Sequence, residues 1–195
     1  MSDATSAKQA LRERLASRRR ERGARELAEA AGRLRDVLLD ELALTTAATV
    51  AAYVSVGTEP GTGPLLDELE ECGVQTLLPV LTDDGDLDWA RYTGPPGLAP
   101  ATRGLLEPQS RRLGPDAIQT ATVVLVPALA VDRRGYRLGR GGGSYDRALA
   151  RLVGARALVV ALLHDEELLD LPMATEPHDV PVHAVATPSG VVRLR

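Results

Sequence analysis

The sequence contains no phenylalanine, one tryptophan and four tyrosines, so the aromatic side chains that usually fill much of a core are nearly missing. Hydrophobic residues still make up 44% of the 195 residues, which predicts a core of leucine, valine and alanine. Charged residues, at 26%, are at the level typical of globular proteins. The length predicts one large domain, since a domain averages roughly 150 residues.

Cysteine occurs once, at Cys72, so no disulfide can form within the chain. This favours a reducing compartment. No apolar leader is evident, and no run reaches the roughly 18 apolar residues that a membrane span requires. We therefore expect a cytoplasmic protein with no membrane partner.

Lysine is the third rare residue, because Lys8 is the single lysine among 23 basic residues. Arginine is a rigid fork and lysine a compact, mobile point charge. A lone lysine therefore indicates either a site where only an ammonium works or a surface residue retained by chance. The net charge of −4 argues against a general nucleic-acid binder, although residues 8–36 hold ten basic and five acidic residues. The run Arg18–Arg20 is typical of the solvated face of a helix, with RNA binding as the alternative.

The hydrophobic pattern predicts two helices followed by alternating strands and helices. The helices are predicted over 6–22, 24–42, 65–73, 144–153 and 164–172, and the strands over 49–56, 74–81, 87–92, 121–132, 157–163 and 182–194. The segment 87–92 is predicted as a hairpin arm, and 182–194 as either one terminal strand or a hairpin. Such alternation predicts an α/β fold with a largely parallel central sheet flanked by helices. We expect a single domain, 1–195, in which helices 6–42 pack on an α/β core of residues 49–195. The Pro- and Gly-rich segment 93–116 predicts a long loop, either functional or mobile.

The segment RLGRGGGSYDR, residues 137–147, follows a predicted strand and opens a predicted helix. Bare backbone amides at such a place bind anions, and the forks of Arg137, Arg140 and Arg147 suit phosphate oxygens. A Walker A loop would require Gly-Lys-Ser/Thr, and the dinucleotide fingerprint would require glycine in place of Ser144. The segment therefore predicts a phosphate loop of another type, with a flexible surface turn as the alternative.

Acidic residues next to predicted strands and loops are candidate ligands. Asp146 either favours the start of its helix or, beside phosphates, holds Mg²⁺. Glu59 follows a predicted central strand, where ligands of parallel sheets gather, and is otherwise a solvated loop acid. The histidines, all at or after position 164, have no standard zinc spacing, so we do not expect zinc. Asp179 is a second candidate carboxylate for Mg²⁺.

Five segments together resemble the 5-formyltetrahydrofolate cyclo-ligase family. They are KQALR at 8–12, GTEPGT at 57–62, LEP at 106–108, VPALAVDRRGYRLGRGGGSYDR at 126–147 and EPHDVPVHAVATP at 176–188. The long central segment is the most specific of them. The resemblance implies an enzyme that uses ATP and Mg²⁺ to close 5-formyltetrahydrofolate into 5,10-methenyltetrahydrofolate, releasing ADP and phosphate after phosphorylation of the formyl oxygen. It also implies a sandwich fold similar to sugar-phosphate isomerases and CoA-transferases, and small-molecule partners without nucleic acid. A monomer and a homodimer both stay open.

The resemblance also implies site residues. ATP would be bound by Lys8, Gln9, Ala10, Leu11 and Arg12 and by Arg137, Leu138, Gly139, Arg140, Gly141, Gly142, Gly143, Ser144 and Tyr145. Lys8 and Arg140 would contact the transferred phosphoryl group, and Asp146 and Asp179 would hold Mg²⁺. The folate would contact Val54, Glu59, Arg140, Gly141, Gly142, Gly143 and Ser144.

The family usually carries tyrosine where this chain has Ser144. Serine cannot offer the packing surface of an aromatic ring. This departure motivates an alternative hypothesis, a non-catalytic nucleotide- or folate-binding protein. RNA binding through residues 12–35 is a third hypothesis, against which the overall acidity and the few aromatics argue.

Overall fold

Twelve strands and four α-helices form the described part of the protein, a computed structural model that covers residues 3–194 apart from the side chains of 3–5 and 103. The helices are α1 (Asp3–Arg20), α2 (Ala24–Leu42), α3 (Gly63–Glu71) and α4 (Ser144–Ala150). The strands are β1 (Thr49–Ala51), β2 (Gln75–Leu81), β3 (Leu87–Arg91), β4 (Leu98–Pro100), β5 (Leu106–Pro108), β6 (Val123–Pro127), β7 (Ala130–Asp132), β8 (Arg137–Leu138), β9 (Leu158–Leu162), β10 (Leu168–Leu169), β11 (Ala184–Thr187) and β12 (Gly190–Arg193).

Seven strands make the central sheet, in the order β12-β11-β9-β6-β1-β2-β3. The five inner strands run parallel. Val50 of β1 lies opposite Thr76 of β2 on one side and opposite Val123 of β6 on the other. The edge strands β3 and β12 are antiparallel to their neighbours. This sheet confirms the predicted α/β class and its largely parallel sheet. The antiparallel pairing of β3 with β2 confirms 87–92 as a hairpin arm, and that of β12 with β11 shows that 182–194 is a hairpin.

Helices cover both faces of the sheet because side chains alternate along its strands. Leu125 of β6 belongs to the cluster that α2 and α3 complete. Val124 belongs to the cluster on the other face of the sheet, which also contains Leu149 of α4 and Ile118. Helix α1 instead packs through Leu15 on a small sheet of order β10-β7-β8. Within residues 3–194, no helix combines the length and the hydrophobicity that a membrane span requires.

Two predicted elements are wrong, and the segment 93–116, predicted as a long loop, contains the paired strands β4 and β5. The predicted strand 121–132 is two strands in two different sheets, β6 and β7, because Pro127 ends the first ladder without an N–H and the chain then turns to pair with β8. The predicted helix 164–172 is one 3₁₀ turn at Asp165–Glu167 followed by β10, which pairs with β7. Helix α1 also begins earlier than predicted, at Asp3.

Ala43, which ends α2, has a left-handed backbone with φ 48° and ψ 43°. An L-residue pays about 1–2 kcal/mol for this conformation, and glycine loses roughly 0.5–1 kcal/mol more entropy on folding. We expect Ala43→Gly to raise the free energy of unfolding by up to about 1 kcal/mol in urea titrations. Ala47→Gly is the matched control, because Ala47 has φ −69°, and it should lower that free energy. A lower value for Ala43→Gly would contradict the prediction.

Candidate active site

A cavity of about 510 Å³ opens where β1, β2 and β6 end. Val54 follows β1, Leu81 ends β2 and Pro127 ends β6, and all three line the cavity. Ligands of parallel sheets gather at this carboxyl edge, and the volume is typical of a small-molecule site. The fold therefore brings together segments that lie far apart in the sequence.

Helix α1 supplies cations to the cavity from one of its faces. Lys8 and Arg12, one turn apart, both line it. Lys8 Nζ lies 3.5 Å from Asp179 Oδ2 and 3.8 Å from Glu176 Oε1. Arg12 Nε donates to the carbonyl of Gly139 at 3.0 Å, which joins the helix to the glycine loop.

Three residues of the predicted ATP segment do not line this cavity. Gln9 is exposed and donates to Glu13 at 2.8 Å, and Ala10 is exposed as well. Leu11 packs on the cluster formed by α1 and the small sheet. The helical rotation between neighbouring residues explains why only Lys8 and Arg12 of this segment reach the cavity.

The glycine loop lines the same cavity from Arg137 to Asp146. Gly141 and Gly143 have φ 98° and 70°, which glycine adopts without steric cost. Arg137 donates to Asp146 Oδ1 at 2.6 Å, and its side chain is only 4% exposed. Burial lowers the pKa of the Arg137 guanidinium, and Asp146 opposes this effect. Arg137 Nε is buried without a hydrogen-bond partner among the described residues, so a donor stays available for a ligand.

Glu59 lines the cavity as well and contacts the glycine loop. Its Oε2 accepts from the backbone N–H of Val56 at 2.8 Å, and its Oε1 lies 2.9 Å from Arg140 Nη2. The Glu59 side chain is 11% exposed and that of Arg140 is 64% exposed, so the acid is inside and the arginine at the mouth. This position fits a ligand-binding acid better than a solvated loop acid.

Two tyrosines on the cavity wall keep buried hydroxyls without hydrogen-bond partners in the described residues, Tyr53 and Tyr145. Burial raises the pKa of both phenols, and the carboxylate of Glu59 raises it further. Both hydroxyls are therefore neutral donors. Tyr53 is a site residue that the sequence analysis missed, since its strand pattern marks it only as core.

Ser144 connects the glycine loop to the turn between β2 and β3. Its Oγ donates to the carbonyl of Gly85 at 2.6 Å, and Arg147 donates to the same oxygen. Arg151 of the following turn pairs with both carboxylate oxygens of Asp86. Ser144, the residue that departs from the family pattern, thus links the glycine loop to this turn by a hydrogen bond.

Arg19 and Glu107 are further residues of the cavity wall that the sequence analysis missed. Glu107, within the LEP segment, accepts from the backbone N–H of Leu81 at 3.0 Å. Arg19 is 3% exposed, so the prediction of a solvated arginine run is wrong for its middle residue. Its position four residues after the buried Leu15 is the signal that could have revealed it.

A largely parallel sheet with a cavity of mixed charge at its carboxyl edge defines an α/β protein with a site of the kind that takes small molecules. A model of the 5-formyltetrahydrofolate cyclo-ligase family matches residues 4–188. The chain therefore belongs to the 5-formyltetrahydrofolate cyclo-ligase family, an enzyme family, as its motifs indicated.

Relatives and solved structures agree with this membership. The chain is 50% identical over 153 residues to a 5-formyltetrahydrofolate cyclo-ligase of Mycolicibacterium smegmatis, covering 75% of this chain and 77% of that protein. It is 33% identical to the cyclo-ligase of Escherichia coli, covering 73% and 79%. An NMR structure of an Aquifex aeolicus 5,10-methenyltetrahydrofolate synthetase superimposes with a TM-score of 0.81 at 27% identity, covering 96% of this chain and 93% of that one.

Proposed function

We propose that this protein uses ATP to cyclise 5-formyltetrahydrofolate to 5,10-methenyltetrahydrofolate, with ADP and phosphate as the other products. The formyl oxygen attacks the γ-phosphorus, and the bond to the bridging oxygen of ADP breaks. Nitrogen 10 then adds to the formyl carbon and loses its proton, and the carbon–oxygen bond breaks to release phosphate. The formyl oxygen leaves in that phosphate. The observation that carries the proposal is the meeting of Lys8, Arg12 and the glycine loop with Glu59 around one cavity.

The chain's own residues supply positioning and charge, which is what phosphoryl transfer requires of a protein. Lys8 lies among carboxylates at one end of the cavity, and Arg140 stands at its mouth. Both can neutralise charge on the transferred phosphoryl group. Arg12 and Arg137 hold the loop and can bind the remaining phosphates.

Asp146 and Asp179 are the residues that would hold Mg²⁺. Both line the cavity and offer the carboxylate oxygens that this cation prefers. Across residues 3–194, no three His, Cys, Asp or Glu side chains gather into a metal site, so a bound triphosphate would supply the further oxygen ligands. The ion, when bound, would neutralise phosphate charge.

Glu59, Val54 and the buried hydroxyls of Tyr53 and Tyr145 support a folate site in the same cavity. A pterin edge is rich in N–H donors, which a buried carboxylate accepts. Val54 adds apolar surface beside it. Cytoplasmic location, the single-domain organisation and the choice between monomer and homodimer stay predictions.

The test is to mix purified protein with Mg-ATP and 5-formyltetrahydrofolate and to follow the conjugated methenyl product by absorbance, with phosphate measured in parallel. We expect one phosphate released for each methenyl product, and no product when ATP is omitted. Ligand binding without product would favour the non-catalytic binding protein instead. Product without phosphate release would contradict phosphorylation of the formyl oxygen.

Ser144→Ala removes the hydrogen bond between the glycine loop and Gly85. Since one hydrogen bond contributes about 0.5–1.5 kcal/mol, we expect the KM for ATP to rise roughly 2- to 10-fold. Ser144→Thr keeps the hydroxyl and should retain most of the parental value. Steady-state kinetics at saturating folate measure both variants. Equal KM values for ATP in Ser144→Ala and the parent would contradict the role given to this contact.

A further inference from the structure

A buried ion pair lies between α1 and the 3₁₀ turn that follows β9. The side chains of Arg19 and Glu167 are each 3% exposed. Arg19 Nε donates to Glu167 Oε1 at 2.6 Å, and Arg19 Nη2 donates to Glu167 Oε2 at 2.7 Å. Arg19 Nη2 also donates to the carbonyl of Ala128 at 2.7 Å, at the edge of the cavity. The catalytic scheme makes no use of these contacts.

The arginine end of this pair sets the position of α1. Lys8, Arg12 and Arg19 are spaced so that all three lie on one face of the helix. A buried guanidinium is costly unless its partners are in place, so α1 has one favourable position on the small sheet. That position determines how far Lys8 and Arg12 reach into the cavity.

The glutamate end leads to a second segment of the cavity lining, the loop that carries Glu59. Glu167 Oε2 accepts from the backbone N–H of His164 at 2.8 Å. The His164 ring is buried, and its Nε2 lies 3.1 Å from the carbonyl oxygen of Thr58, the residue before Glu59. Hydrogen bonds therefore link α1, through Arg19, Glu167 and then the backbone and the ring of His164, to the loop that carries Glu59.

We propose that Arg19 and Glu167 are positioning residues that hold the phosphate-binding end of α1 and the Glu59 loop in one fixed relation. This inference rests on the proposed function. The pair acts through Lys8, Arg12 and Glu59, and it aligns the two substrates that must react with each other. Small displacements of reacting groups cost large factors in rate.

The experiment compares Arg19→Lys and Glu167→Gln with the parent in steady-state kinetics, varying ATP and 5-formyltetrahydrofolate separately, with Tm measured for each protein. Lysine keeps the charge but lacks the planar fork with which Arg19 bonds both Glu167 oxygens side by side. We expect Arg19→Lys to raise the KM for ATP about tenfold and to lower kcat. Glu167→Gln removes the negative charge that lies between Arg19 and His164 in this series of hydrogen bonds. It should raise both KM values. Arg20→Lys on the exposed face is the matched control and should change neither.

A lower Tm with both KM values unchanged would overturn the proposal, since a merely structural pair affects stability alone. If Arg19→Lys does not fold, Glu167→Gln decides by the same criterion. Failure of the proposed function is seen separately, as a parent protein that forms no methenyl product. In that event calorimetric titration with ATP compares the parent and Arg19→Lys, and equal affinities overturn the positioning role.

Discussion

Lys8→Arg is expected to lose about 100-fold or more in kcat while folding as stably as the parent. Loss of one preorganised electrostatic contact to the transition state costs roughly 10²–10³ in kcat. The Lys8 side chain is 17% exposed and lies between Asp179 and Glu176, where a point charge fits. A guanidinium is larger and planar, so it cannot place its charge at the same point.

The measurement is kcat at saturating ATP and folate, with Tm as the check on folding. Arg14→Lys, on the exposed side of the same helix, is the matched control and should behave like the parent. If Lys8→Arg has the parental kcat, the lone lysine is incidental and the electrostatic role of Lys8 is wrong. If kcat falls in Lys8→Arg and not in Arg14→Lys, the need for an ammonium at this site explains why the single lysine of the chain stands at position 8.

Glu59→Gln is expected to raise the KM for 5-formyltetrahydrofolate by about 10- to 100-fold. Hydrogen bonds to a charged group contribute about 1.5–3 kcal/mol, and each 1.4 kcal/mol is about tenfold in affinity. Glutamine keeps the size of the side chain and can still accept from the Val56 N–H. The change therefore removes the charge, and with it the ion pair to Arg140.

Separate KM values for the two substrates test where Glu59 acts. We expect the KM for ATP to change much less than the KM for folate, since Glu59 is placed on the folate side. Asp83→Asn, at an exposed acid of the β2–β3 turn, is the control for loss of one negative charge. An increase confined to the KM for ATP would show that Glu59 acts through Arg140, contrary to the proposal.

Local patterns were sufficient for much of the fold and for part of the site. Helix α2 occupies the predicted residues 24–42, because its apolar residues repeat at helical spacing. Strand β2 occupies 75–81 within the predicted 74–81. The bare glycine amides beside arginines, between a predicted strand and a predicted helix, identified the segment 137–147, and this pattern is local, so the sequence reveals it. The family motifs then singled out Lys8, Glu59 and Asp179, which the fold does bring to one cavity.

The tertiary structure decided the features that depend on distant partners. Pairing with β8 and β10 divides the predicted strand 121–132, which its own apolar pattern cannot reveal. Arg19 is buried because Glu167 and Ala128 lie opposite it, 148 and 109 residues away. Ser144 has its partner in the turn at Gly85, 59 residues earlier. Composition, periodicity and motifs thus determined the fold class and the candidate ligands, whereas packing alone decided which polar groups meet, because hydrogen bonds and ion pairs depend on position in space.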